Sequence, residues 1–221
     1  MALEESMNSK IWLKNIDRIS LCSASVDYKA KKAFKAVLNW IVKNNYRGGC
    51  HDTSAALHIL LEEQGVKSSL CIGEVKIDEQ SFFDHSWVTV DDLVLDASVC
   101  MPNIGGYAFP PVFASKDLLT LDVPQIYYGE RSPVGFDSEA KFVSTASLSE
   151  YSTGHLDDPN KLWSLTKTLA KEAGVKVNAG KLKDQYGAVM QTCSLRLNPL
   201  TNNCNGSIYA ALQLPAELGV S

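Results

Sequence analysis

The first third of the chain carries apolar residues at helical spacing. Between Tyr28 and Tyr46, five apolar side chains fall at helical spacing among lysines: Ala30, Phe34, Val37, Leu38 and Ile41. This pattern predicts an amphipathic helix with a solvated basic face. Arg47-Gly48-Gly49 follows it, and paired glycines favour a break in the helix.

A second helix is expected directly after the two glycines. It begins at or near Cys50 and runs to Glu63 or Gln64, where Gly65 is well placed to end it. Three leucines form its buried face: Leu57, Leu60 and Leu61.

Three strands are predicted next. They occupy Lys67–Ile77, Asp84–Val90 and Leu93–Ala97, and the last two are joined by Asp91-Asp92. Two helices followed by consecutive antiparallel strands are typical of an α+β fold, not of a doubly wound sheet.

The second half of the chain has weaker patterns. Residues 99–137 are rich in proline and glycine, which indicates a long irregular excursion with a short helix at Ser115–Leu119. Helical spacing returns at Asn160–Ala173 and is expected at Lys181–Thr192, and residues 201–206 form a turn cluster. We therefore expect a core over residues 1–137 and a helical extension over residues 138–221 packed on it. A single domain is the alternative.

Charge and hydropathy exclude several classes of partner. The chain has 21 basic and 25 acidic residues, and its net charge is -4. No basic stripe exists, so neither nucleic acid nor an anionic membrane is an expected partner. Apolar runs are too short for a spanning helix and the amino terminus lacks a signal-peptide pattern. We expect a cytoplasmic protein, with export without a signal left open.

The six cysteines are dispersed along the chain and form no Cys-x-x-Cys motif. Reduced thiols are therefore favoured over disulfides, and no structural zinc site is indicated. We expect no metal and no other cofactor.

Cys50 occupies a position suited to nucleophilic chemistry. The positive end of a helix dipole and the unsatisfied N–H groups of the first turn stabilise a thiolate over a thiol. Gly48 and Gly49 would let a substrate backbone approach, and the Cys50 amide can help to hold an oxyanion. The alternative is a small buried cysteine. His51 points away from Cys50 on the helix, so we expect it to be exposed or at the cleft rim.

His85 and Asp96 are expected to share one face of a hairpin. If Val90 pairs with Leu93, then Trp87 faces Asp96, and His85 and Asp96 are diagonal neighbours. A neutral histidine oriented by a carboxylate is the base that a cysteine nucleophile needs. Taken singly, the two residues are a core histidine and a strand-end cap. Trp87 either lines the substrate cleft or packs in the core.

These residues resemble the transglutaminase-like superfamily, whose members have a Cys-His-Asp triad on a papain-like fold. The resemblance covers roughly residues 28–98 and rests on these segments: Gly48–Leu57, Leu60-Leu61, Gly65, His85–Val88 and Leu95–Ser98. Its compact spacing is closer to the short bacterial members than to the large animal cross-linking enzymes. The resemblance implies that Cys50 is the nucleophile, His85 the general base and Asp96 its partner.

The implied function is cysteine-dependent attack on an acyl bond through a thioester. Hydrolysis of an amide, as in a peptidase, amidase or deamidase, is favoured over transfer to an amine. The expected substrate is a peptide, a protein or a small amide. One alternative is a non-catalytic module that binds a peptide or protein. Another is an arylamine N-acetyltransferase, whose Arg-Gly-Gly-x-Cys pattern is similar to Arg47-Gly48-Gly49-Cys50, although one residue is missing here.

Overall fold

The computed structural model describes residues 2–21, 23–155 and 157–193, which form helices and a mainly antiparallel sheet. The helices are α1 (Ala2–Arg18), α2 (Ala24–Lys43), α3 (Cys50–Glu62), α4 (Ser138–Thr145), α5 (Leu148–Thr153), α6 (Lys161–Glu172) and α7 (Leu182–Tyr186). The strands are β1 (Ser69–Lys76), β2 (Phe82–Val90), β3 (Leu93–Leu95), β4 (Val112–Phe113), β5 (Lys116–Asp117), β6 (Tyr127–Glu130) and β7 (Thr192–Cys193). The predicted α+β class is confirmed.

The main sheet is built around β1. Strand β2 pairs antiparallel along the whole of β1, and β3 continues the sheet beyond β2 in the order β3-β2-β1-β6. Strands β6 and β7 share the other edge of β1, β6 antiparallel at Glu74–Lys76 and β7 parallel at Cys71 and Ile72. The end of the described chain therefore returns to the same sheet as the first hairpin.

The β2–β3 hairpin has the predicted register. Val90 pairs with Leu93 and Val88 with Leu95 across a two-residue turn. Asp91 and Asp92 both have positive φ, 49° and 62°. Such a turn matches the right-handed twist of the flanking strands, although it places two aspartates in a backbone region that favours glycine or asparagine.

Helix α3 is the central helix of the molecule. Every residue from His51 to Leu61 is buried, because α2 and α6 cover it on one side and the sheet on the other. The larger hydrophobic core contains residues from α2 and α3 together with residues from α4 to α7. A smaller cluster around Trp87, Val75 and Tyr128 fills the opposite face of the sheet.

Most predicted elements are found, with differences after residue 99. The predicted helix at Ser115–Leu119 is wrong, since Ala114 and Ser115 have positive φ and the short strand β5 follows them. The helix expected at Lys181–Thr192 ends at Tyr186, and Thr192 lies in β7 instead. The turn cluster at 201–206 lies outside the described residues. Over the described ranges, no helix has both the length and the hydropathy to cross a membrane.

Candidate active site

Cys50 is the first residue of α3, and the two preceding glycines make this position possible. Gly48 has a φ of 66°, and its N–H donates to the Met101 carbonyl at 2.9 Å. A Cβ at Gly49 would lie 1.9 Å from the Tyr46 ring, and one at Gly48 would collide with the Asn103 side chain. The glycines thus let two loops close around the start of α3. Their predicted contact with substrate stays a prediction.

Cys50, His85 and Asp96 lie together. The Nε2 atom of His85 is 2.7 Å from Oδ2 of Asp96, and the His85 ring also interacts with the Cys50 side chain. His85 and Asp96 are buried, whereas Cys50 is only partly buried. The three residues form one continuous line, with a sulfur at its more accessible end.

Asp96 is held by five hydrogen bonds. Its Oδ1 atom accepts from the backbone N–H and the hydroxyl of Ser98, both at 3.0 Å, and from the N–H of Val99 at 3.1 Å. Its Oδ2 atom accepts from His85 and from the Tyr128 hydroxyl at 2.8 Å. Burial raises the pKa of Asp96, but the charge of His85 and these donors outweigh it, so the net pKa is lowered. Asp96 is therefore a carboxylate.

The environment of His85 favours its protonated form. Burial alone lowers the pKa of the ring, whereas its electrostatic and hydrogen-bonding interactions with Asp96 and Cys50 raise it to about 10. The sequence led us to expect a neutral imidazole. The structure instead favours an imidazolium between two acidic groups.

Trp87 and Tyr128 pack together behind Asp96. Trp87 has no exposed surface, and its ring meets that of Tyr128 edge to face at 5.0 Å. This position gives Trp87 a packing contact beneath the triad. The hydrogen bond of Tyr128 to Asp96 has no signal in the sequence.

His51 lies on the other side of β2. The expectation of an exposed His51 is wrong, because its side chain is buried. Its Nδ1 atom is 2.6 Å from Oγ of Ser86, and the Ser86 hydroxyl donates to Oε1 of Gln191 at 2.5 Å. Since this hydroxyl has one hydrogen, His51 must donate from Nδ1. Burial, followed by the charge of His85, lowers the pKa of His51 to about 4, so its ring is neutral.

A second buried carboxylate, Asp52, lies two residues after Cys50. Its Oδ2 atom accepts from the Tyr46 hydroxyl and lies 2.9 Å from Nζ of Lys161. Its Oδ1 atom accepts from the Tyr151 hydroxyl at 3.0 Å and lies 3.4 Å from Nε2 of His155. We call these five residues the Asp52 cluster. Burial raises the pKa of Asp52, but the hydrogen bonds and the Lys161 charge lower it overall.

Aromatic side chains flank the triad on the side of His85. Phe83 lies edge to face with the His85 ring at 5.5 Å and stacks on Phe109 at 6.3 Å. These rings limit the access of water to His85, which strengthens its interaction with Asp96. Within the ranges described, no group of three or more histidine, cysteine, aspartate or glutamate side chains could hold a metal ion.

One of three comparisons with known proteins supports the resemblance over part of the chain. The family model described as transglutaminase-like superfamily matches residues 23–103, which contain Cys50, His85 and Asp96. The resemblance to this superfamily is thereby confirmed over that segment. It indicates a fold associated with cysteine-dependent acyl chemistry. Neither the search of curated proteins nor the search of solved structures found a match.

Proposed function

We propose that this protein is a cysteine-dependent enzyme that cleaves an amide or related acyl bond through a thioester. The observation that carries the proposal is the juxtaposition of Cys50, His85 and Asp96, in which His85 is bonded to Asp96 and Cys50 lies at the start of α3. The same arrangement supports a papain-like core. The substrate is a peptide, a protein or a small amide, and no metal or cofactor takes part.

In the first step, the Cys50 thiolate attacks the carbonyl carbon and forms a C–S bond. The carbonyl oxygen becomes an oxyanion beside the first turn of α3, where the Cys50 N–H has no intrahelical acceptor. The C–N bond then breaks, and the imidazolium of His85 gives its proton to the leaving amine. A thioester and a neutral His85 remain.

In the second step, His85 acts as a base. It takes a proton from water as the oxygen attacks the thioester carbonyl, and the C–S bond breaks to release a carboxylic acid and restore the thiolate. Asp96 keeps the ring oriented and stabilises its positive charge throughout. An amine in place of water would give transfer, and we propose hydrolysis as the main reaction.

Alkylation of the intact protein with iodoacetamide tests the proposal. We expect Cys50 to react first and well below pH 8, measured by mass spectrometry of the labelled peptides, and His85→Ala to slow it. Cys193 is an internal control, because it is more exposed than Cys50. If Cys193 reacts before Cys50, or if His85→Ala leaves the Cys50 rate unchanged, the enzymatic proposal is wrong and the binding module is favoured.

A further inference from the structure

The Asp52 cluster brings distant parts of the chain to the nucleophile. Tyr46 precedes α3, whereas Tyr151, His155 and Lys161 come from α5, the loop after it and the start of α6. Those three residues lie outside the segment that matches the family model. The cluster therefore joins the later helices directly to the first turn of the helix that carries Cys50.

Asp52 and Lys161 form an ion pair within the cluster. Asp52 is almost fully buried, and Lys161 is its lysine partner at 2.9 Å. The Tyr46 and Tyr151 hydroxyls stay neutral, because burial and then the charge of Asp52 raise their pKa values above the usual range. The negative charge of Asp52 is thus compensated mainly by Lys161.

The carboxylate of this ion pair belongs to the first turn of α3, two residues after Cys50. The Tyr151 hydroxyl donates to Asp52 at 3.0 Å and also interacts electrostatically with Cys50. An uncompensated Asp52 would repel a thiolate two residues away, and an uncompensated Lys161 would attract it. Loss of either charge is therefore expected to change the stability of the Cys50 thiolate.

We propose that Asp52 and Lys161 are positioning residues that hold the first turn of α3 and balance the charge around the Cys50 sulfur, so that the helices after residue 137 complete the active site. This inference rests on the proposed function and extends it, because Lys161 lies outside the family-matched segment. The titratable groups at this end of α3 are His85 with Asp96 behind it, His51, Asp52, Tyr46, Asp137, Tyr151, His155 and Lys161.

The test measures the rate of Cys50 alkylation by iodoacetamide against pH in single variants. Asp52→Asn removes the negative charge with little change of shape, and we expect the pH midpoint of the rate to move down. Lys161→Met leaves Asp52 uncompensated, and we expect the midpoint to move up, on the order of 1 pH unit in each case. Lys161→Arg keeps the positive charge, so we expect it to retain the wild-type midpoint.

Controls separate charge balance from structural damage. Lys167→Met removes an exposed lysine on the same helix and should leave the midpoint unchanged. The double variant Asp52→Asn/Lys161→Met should return the midpoint toward that of the wild type, because the opposite charge effects cancel, whereas structural damage would accumulate. Thermal unfolding of each variant is recorded alongside the rates.

The outcomes are distinct. If Asp52→Asn and Lys161→Met shift the midpoint in the same direction, or if neither shifts it, the inference is overturned while the proposed function stands. If Lys161→Met does not fold, Asp52→Asn alone decides, and an unchanged or raised midpoint overturns the inference. If the wild-type Cys50 is no more reactive than Cys193, the proposed function itself fails.

Discussion

Removal of the Tyr128 hydroxyl tests how much one hydrogen bond to the Asp96 carboxylate contributes to the stability of the fold. In Tyr128→Phe, Oδ2 of Asp96 keeps the bond to His85 and loses the donor at 2.8 Å, while the ring still packs on Trp87. Because Asp96 has no exposed surface, bulk water cannot replace that donor. A hydrogen bond to a charged group contributes about 1.5–3 kcal/mol, and we expect the free energy of unfolding to fall by this amount.

Thermal unfolding at neutral pH measures the effect. For a chain of this size, the loss corresponds to a fall in Tm of about 3–12 °C. Tyr127→Phe is the matched control, since Tyr127 is the adjacent residue of β6 and half of it is exposed. We expect that variant to unfold within about 1 °C of the wild type. Equal Tm values for the two variants would refute the role of Tyr128.

Two further predictions concern the pH dependence of stability and the hairpin turn. The pKa of His85 is raised from 6.5 to about 10, so its ion pairing stabilises the fold fully below about pH 6.5 and is lost as the pH rises through 10. Tm should therefore fall more steeply between about pH 7 and 10 in the wild type than in His85→Gln, and parallel curves would contradict this pKa. In the hairpin, Asp91→Asn/Asp92→Gly should raise stability by about 1 kcal/mol, because both positions have positive φ. A lower Tm would show that the aspartates themselves stabilise the turn. An unchanged rate of Cys50 alkylation would confirm that the variant keeps the register of the hairpin.

The proximity of His85 and Asp96 could be predicted from the sequence because both belong to one hairpin. Alternating apolar residues in β2 and β3 determine the hairpin register, and that register brings His85 and Asp96 to one face. The break at Gly48-Gly49 likewise marks the start of α3. Short-range patterns therefore contain most of the information needed for these residues.

The partners of the triad could not be predicted, because they come from distant segments with weak patterns. Tyr128 lies 32 positions after Asp96, on a strand of four residues within the segment rich in proline and glycine. Aspartate is common in the first turn of a helix, where a solvated carboxylate interacts favourably with the positive end of the helix dipole. Nothing in the sequence therefore singles out Asp52. Its burial depends on Tyr151, which is 99 positions away.

The two-residue turn between β2 and β3 restricts how this hairpin can change in evolution. Side chains alternate between faces along a strand, so one inserted residue in the loop would send His85 and Asp96 to opposite faces if the strands paired again in the shifted register. Two inserted residues would preserve their relation. Relatives that keep the His85–Asp96 pair should therefore differ in the length of this loop by even numbers, and an odd difference would mark either a compensating bulge or a hairpin that no longer brings the two residues together.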